Sequence, residues 1–425
     1  MPRRGASPGA GILPGMSLSH RLGRMTGRDP HEAHRTSTPL ELLFDLTFVV
    51  AFSQISSEAA HFLEIGDLGV ALMGFLFCTF AVTWAWINYS WLASAYDNDD
   101  IFFRLATMVE MMGVLIVALG VPPVFESLAE GEHLDNSVLV AGYVIMRVAA
   151  IALWLRVAKN DPARRKTALA YAINISIAQV FWVVLIFADL PIAPTAAIIV
   201  VLILFELAGP VFAELRYGRT PWHGHHIAER YGLLTIITLG EVVLGTILAI
   251  SAVVQEQGWS LEAGLVAFAG TALVFGLWWV YFMMPSGRIL HRYRERGFVW
   301  GYGHIFVFAS LIGVGTGLHV AAQVISHEAH VDAAFALLAV AIPVLAFEVL
   351  VFTLYSVLLR VFDPFHLWLF VGGVAVLALS VVAAAAGASI GESLLLVAAS
   401  PFVIVVGYET VGHRHQAAAL ERNGV

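Results

Sequence analysis

A chain of 425 residues in which apolar types make up 59% and charged types 13% lacks the surface charge of a soluble globule, where roughly a quarter of residues are charged. Its mean hydropathy of +0.82 is carried in continuous apolar runs about 20 residues long, which fits membrane-crossing helices and excludes a β-barrel, whose strands alternate apolar and polar positions. The net charge of −8 and the scatter of basic residues give no support to nucleic-acid binding, and the single cysteine, Cys78, lies inside an apolar run, which excludes a disulfide framework or a thiolate metal site.

Residues 1–38 are rich in Gly, Pro, Ser and Arg and read as a disordered cytoplasmic tail. Arg3 and Arg4 imitate the start of a signal peptide, but the stretch 9–16 is broken by Pro14, so no cleaved signal is expected. Met1, Met16 and Met25 are all open as the start. Arg3, Arg4, Arg21, Arg24, Arg28 and Arg35 would hold this tail against an anionic leaflet.

Twelve apolar segments follow, at 40–62, 68–91, 102–121, 137–158, 168–188, 195–213, 230–252, 262–283, 298–321, 333–359, 366–387 and 392–410. Each is long enough to cross a hydrocarbon core of about 30 Å. Lipid offers no hydrogen-bond partners to an open backbone, so the segments are helices. The predicted fold class is therefore all-α, a polytopic membrane helix bundle of about twelve spans with the lipid bilayer as its partner. The connectors orient it. Lys159, Arg164, Arg165, Lys166, Arg216, Arg219, Arg288, Arg292, Arg294, Arg296, Arg414 and Arg422 lie in one alternate set together with the tail, and Arg360 sits at a span edge. The other set (63–67, 122–136, 189–194, 253–261, 322–332 and 388–391) has no Lys or Arg. By the positive-inside rule both termini are cytoplasmic.

Twelve spans also divide as six plus six, with halves at 39–213 and 214–425. Spans 1 and 7 both begin with a glutamate at the cytoplasmic end of an apolar run, Glu41 and Glu229. Spans 2 and 8 both end in aromatic clusters, Trp84, Trp86, Tyr89 and Trp91 against Trp278, Trp279, Tyr281 and Phe282. Copies with an even number of spans are parallel. The aromatic clusters also suit any membrane interface.

Ionisable residues inside the spans carry the functional signal, because a charge at the helix centre costs on the order of 3 kcal/mol and needs a partner. In span 1, Thr38, Pro39 and Glu41 fit a capping box. Asp45 lies one turn deeper, beyond any cap, and Ser53, Gln54 and Ser57 extend the polar face. Glu110 in span 3 lies roughly 12 Å deep and Arg147 in span 4 roughly 16 Å, at 1.5 Å per residue. The two are expected to meet as an ion pair between antiparallel neighbours. Glu241 in span 7 and Glu348 in span 10 fall at similar depth, with Glu206 and His304 nearer the cytoplasm. Glu110, Glu241 and Glu348 against one Arg147 leave an excess of acid at mid-depth, which a dry site tolerates only with protonated carboxyls or a bound cation. Both are working parts of a proton- or cation-coupled transporter. At the start of span 7, His225 or His226 with Glu229 has helical spacing for a metal, but the pattern is not the zinc signature H-E-x-x-H, and no metal or cofactor is expected. His319, His327 and His330 read as solvated loop residues near the outer face.

The run Thr38-Pro39-Leu40-Glu41-Leu42-Leu43-Phe44-Asp45-Leu46-Thr47-Phe48-Val49 resembles the opening signature of the bacterial low temperature requirement A (LtrA) family. So do Tyr96-Asp97-Asn98-Asp99-Asp100 with Arg104, and His226-Ile227-Ala228-Glu229-Arg230-Tyr231-Gly232-Leu233 running on to Glu241. The resemblance implies a multi-pass inner-membrane protein linked to growth in the cold, and it supplies no substrate. Carried over by position, its motif residues are Glu41, Asp45, Asp97, Asp99, Asp100, Arg104, His226, Glu229, Arg230 and Glu241. Beside it, the acidic loop and Arg104, with His226, Glu229 and Arg230, read as a cytoplasmic gate. Asp45, Glu41, Glu110, Arg147, Glu241 and Glu348 read as a coupling or substrate site for a small solute or ion. The leading expectation is a secondary transporter and not an enzyme. The alternatives are a membrane-embedded enzyme acting on a lipid-like substrate through His225, His226 and Glu229, and a sensor or scaffold for membrane state.

Overall fold

The computed structural model describes residues 22–32, 35–188 and 190–425. The helices run α1 (Pro39–Glu64), α2 (Leu68–Tyr96), α3 (Ile101–Leu119), α4 (Val121–Glu130), α5 (Ser137–Asn160), α6 (Arg165–Ile186), α7 (Ile192–Tyr217), α8 (Gly224–Gln257), α9 (Leu261–Phe282), α10 (Ser286–Arg292), α11 (Gly297–Ile325), α12 (Ala333–Leu359), α13 (Pro364–Ala385), α14 (Ile390–Gly407) and α15 (His413–Arg422). They supply twelve segments long and apolar enough to cross a membrane, as the sequence predicts. Many starts are set by a side chain that satisfies an orphan backbone N–H. Asp67, Asp100, Ser260, Asp332, Asp363 and Ser389 each accept from the first turn they precede. At α1 the capping box closes in both directions, Thr38 N donating to Glu41 Oε2 at 2.7 Å and Glu41 N to Thr38 Oγ1 at 3.2 Å.

Two expectations are corrected. The connector 122–136 is not a plain loop, because α4 opens on Pro122 and Pro123, which suit a first turn that needs no N–H partner. It buries Val121, Val124, Phe125 and Leu128. The tail is not disordered where it is described. Met25 is fully buried, Gly23 N donates to Asp100 at 3.0 Å, Gly27 N to Asp161 at 3.2 Å, and the Arg28 side chain to the Asp97 carbonyl at 3.1 Å. These groups bind the ends of helices, a set of partners that composition does not reveal. Arg3, Arg4, Met16 and Arg21 lie outside the described residues.

Helix α11 is the central element. Of its crossing's apolar window, 83% is buried, and it packs against α8, α12, α1 and α2. Glycines permit the closest approaches. A Cβ on Gly315 would lie 2.8 Å from the backbone of Glu241, and one on Gly245 would lie 2.9 Å from the Gly315 carbonyl oxygen. The α3–α5 pair is equally tight, since a Cβ on Gly142 would lie 2.6 Å from the Gly113 oxygen. Around this centre the neighbour order is α1 on α2 and α3, then α3 on α5, α5 on α6 and α6 on α7. A similar order runs through α8 on α9 and α11, then α11 on α12, α12 on α13 and α13 on α14, with α14 also packing back on α9.

Gly142→Val is expected to force α3 and α5 apart at a cost of about 1–3 kcal/mol, the usual range for overpacking. Gly264→Val, at a position with open space around it, is the control. Thermal unfolding in detergent should show a lower midpoint for Gly142→Val alone.

Candidate functional site

Helices α1 and α8 lie in contact, and each carries two ionisable residues one turn apart on one face. Glu41 and Asp45 on α1 meet His226 and Arg230 on α8. Arg230 Nη1 lies 3.1 Å from Glu41 Oε1, and Arg230 Nη2 lies 2.5 Å from Asp45 Oδ1. His226 Nε2 lies 3.3 Å from Glu41. All four side chains are fully buried. Trp86 Nε1 donates to Asp45 Oδ1 at 2.7 Å, and Arg230 donates to Ser90 Oγ at 3.3 Å. The guanidinium also stands over the rings of Trp86 and Tyr89. Glu41 thus serves both readings of it, with Oε2 closing the cap and meeting His226 and Oε1 facing Arg230.

The cluster extends outward through Arg35, which stands 3.8 Å from Glu41 and 3.9 Å from Asp97 and donates to the Ala93 carbonyl. Burial, then the charge of Glu41, pushes the Asp97 carboxyl up to about 6. Of the residues read as a gate, Asp97, His226 and Arg230 join this cluster and the others do not. Asp99 and Arg104 form a bidentate pair at 2.8 and 2.7 Å at the surface. Asp100 caps α3 and pairs with Arg156. Burial raises its pKa, but the Arg156 hydrogen bond and the Phe103 N–H outweigh burial and hold it at about 2. Glu229 accepts from Ser37 N at the surface. His225, His226 and Glu229 also fail to converge, because His225 faces His291 instead, with ring centroids 5.2 Å apart.

The mid-depth acids separate into three places. Arg147 pairs with Glu206 at 2.7 Å and donates to Tyr143 at 2.5 Å, so the expected Glu110–Arg147 ion pair is replaced. Glu206 further accepts from Trp84 at 2.6 Å, Tyr143 at 2.6 Å and Trp182 at 2.7 Å. Glu110 is buried on α3 within electrostatic reach of Arg147. Glu348 accepts from Ser400 at 2.8 Å, between α12 and α14. Glu241, on α8, contacts the hydroxyls of Ser53 and Ser56 on α1. Its Oε2 and Oε2 of Glu348 have no hydrogen-bond partner among the described residues. The sequence reading missed Arg35 and Ser56 and noted Glu206 by depth alone. The capping-box frame around Thr38 was the available signal for Arg35, since it puts a nearby cation at a buried carboxylate.

Beyond Glu241, toward the face opposite the basic connectors, α1, α8 and α11 surround a cavity of about 800 Å³. Ser53, in contact with Glu241, is part of its lining. His319 also lines it and is a buried residue of α11, not a solvated loop residue. Residues 36–400 match the family model described as "Bacterial low temperature requirement A protein (LtrA)". The chain belongs to the low temperature requirement A family. It is also similar to an uncharacterized protein of Rhizobium meliloti (strain 1021), 25% identical over 299 residues that cover 65% of this chain and 67% of that protein. No solved structure matches the chain. The family signatures quoted from the sequence meet in space, since the first supplies Glu41 and Asp45, the second Asp97, and the third His226 and Arg230.

In this low temperature requirement A protein, Arg230→Met strands two buried carboxyls and is expected to cost about 3–5 kcal/mol, the range for removing one partner of a buried pair. Adding Asp45→Asn should recover part of that loss, read as a non-additive double-mutant cycle in thermal unfolding. Asp97 gives a second test. Its folded pKa is raised, so the folded chain keeps a proton that the unfolded chain releases near pH 4. Its contribution to stability therefore falls as pH rises from there to about 6. Asp97→Asn should flatten the dependence of the unfolding midpoint on pH across that interval.

Proposed function

We propose that the chain is a proton- or cation-coupled secondary transporter of a small solute. The observation that carries this reading is the polar seam along α1 and α8. It starts in the ionic cluster of Glu41, Asp45, His226 and Arg230, passes Glu241 with its idle carboxylate oxygen, and ends in a cavity open at the opposite face. Arg230 and Glu241 are eleven residues apart in α8, roughly 16 Å along the axis. One end of the seam is therefore closed by charge while the other is open, which is how a transporter looks when one of its two gates is shut.

Two further features support the reading. The similar neighbour orders of α1 to α7 and α8 to α14 fit two parallel six-helix halves, 39–213 and 214–425, with α1 and α8 as equivalents beside the axis. The face bearing the basic connectors and both termini is assigned to the cytoplasm of a bacterial inner membrane, so the cavity opens outward. In the seam Glu241 carries the coupling proton or cation. Arg230 with Glu41 and Asp45 holds the inner gate. The Glu206 cluster, saturated with donors, holds α5, α6 and α7 together with α2.

The test is charge movement in proteoliposomes on a solid-supported membrane, with putrescine, lysine, alanine, glucose and citrate offered in turn under an imposed pH gradient. At least one solute should evoke a current that Glu241→Gln reduces by an order of magnitude or more, about 1.4 kcal/mol or more in the transport barrier. No current with any solute, or an unchanged current in the variant, would remove the reading.

A further inference from the structure

We infer that the outward cavity is a binding site for a small solute carrying two or more primary ammonium groups, of the diamine type. The inference deepens the transport reading, for which it names the solute, and its own evidence is the chemistry of the walls. Four carboxylates, Glu58 and Glu64 on α1, Glu256 at the end of α8 and Glu328 after α11, stand in a lining that contains no Lys or Arg. His61 is the basic neighbour on α1 and pairs with Glu64 at 3.0 Å. The remaining polar wall is amide and hydroxyl, as at Gln54, Gln323 and Ser57. An ammonium group donates three hydrogen bonds, and carboxylate, amide and hydroxyl oxygens all accept them.

Acidity alone would not make this a site, and two buried groups supply the second observation. His319 contributes to the cavity wall while only 8% exposed, and its Nε2 has no hydrogen-bond partner among the described residues. Glu241 is 3% exposed, with Oε2 equally unmatched, and touches the lining through Ser53. A buried polar atom without a partner costs free energy, and here one such atom belongs to a lining residue, His319, and a second stands behind the lining at Glu241, so this side of the cavity is suited to an occupant.

The size and spacing of the site choose among cations. The carboxylates are spread out: Glu58 and Glu64 are six residues apart on α1, roughly 9 Å along its axis. The other two come from different elements. Among the described residues no three His, Cys, Asp or Glu groups come close enough to hold one metal ion. A cavity of about 800 Å³ is of the size that takes small organic molecules. Its lining has no Phe, Tyr or Trp, the residues that would cage a quaternary ammonium. Separated carboxylates with hydrogen-bonding walls match a chain with an ammonium group at each end.

The test is titration calorimetry on the full-length protein in nanodiscs of uncharged lipid at low salt. Putrescine, 1,4-butanediol, n-butylamine and Mg²⁺ are the probes. Putrescine should bind saturably, n-butylamine more weakly and butanediol not at all. Glu58→Gln with Glu256→Gln should weaken putrescine about tenfold or more, the loss expected for charge-assisted hydrogen bonds, with an unchanged unfolding midpoint. Equal binding of butanediol, unchanged binding in a folded double variant, or binding of Mg²⁺ in place of putrescine would overturn the inference. A double variant that does not fold is replaced by His319→Phe, which fills the inner wall and should also lower putrescine affinity; unchanged affinity there overturns the inference. Equilibrium binding needs no gradient, so putrescine binding with no current from any of the solutes would sustain the site and end the transport reading. Glu241-dependent current from another solute with no putrescine binding would do the reverse.

Discussion

Arg230 is charged and shielded from both water and lipid, and it satisfies that condition by reaching two carboxylates that stand one turn apart on another helix. An unmatched charge there would be expelled or would drag water in with it. Because Glu41 and Asp45 are four residues apart, as are His226 and Arg230, the contacts can form together only if α1 and α8 run side by side in one register. That register carries the rest of the centre with it. It places Ser53 and Ser56 opposite Glu241, leaves room for α11 to close on Gly245 through Gly315, and gives Arg35 a buried carboxylate to approach. The packed part of the tail follows from the same charge, since Arg35 links Glu41 to Asp97 and Asp97's carbonyl holds Arg28.

The other buried acids differ in how completely they are answered. Glu206 accepts from two indoles, a phenol and a guanidinium, which approaches the capacity of a carboxylate. Nothing is left for a proton or a solute to compete for, so it acts as a strut. Glu241 and Glu348 have hydroxyls as neighbours, and each keeps one oxygen without a partner among the described residues. Of these two, Glu241 contacts a residue that lines the polar cavity. Burial is the same for all three acids, and the supply of donors is what separates a structural carboxylate from one free to exchange a cation.

The bundle was legible because membrane helices leave one-dimensional marks: apolar length, and arginine in alternate connectors. The halves of the ionic cluster were legible too, since four-residue spacing puts Glu41 with Asp45 and His226 with Arg230. What the chain does not write down is azimuth, the direction in which a helix face points. Depth singled out Glu110 as the partner for Arg147 and set Glu206 nearer the cytoplasm, and the choice was instead made by Tyr143, Trp84 and Trp182, which gather donors around Glu206. The same gap spread the expected midplane site over three places. Composition failed at residues 22–32 and 35–38 for a related reason. Glycine and arginine predict solvation only where no helix ends are waiting to be capped, and here Asp97, Asp100 and Asp161 were.

On the transport reading, the ionic cluster sets the energy scale of the cycle. Opening the basic face means separating α1 from α8 there, and stranding one partner of a buried pair costs about 3–5 kcal/mol. A charge crossing 100 mV yields about 2.3 kcal/mol, and a gradient of one pH unit yields about 1.4 kcal/mol more. One proton moving inward therefore delivers free energy of the size the gate demands, and thermal motion alone rarely would. The cluster sets two guanidinium groups, Arg35 and Arg230, against three carboxyls, Glu41, Asp45 and Asp97, with His226 between them. A proton that neutralises Asp45, the α1 carboxyl with the fewer basic neighbours, removes one arm of the Arg230 bridge without leaving a bare anion behind. Separation then costs the loss of a single pair in place of two, and a gate built this way opens in proportion to the protons that reach it.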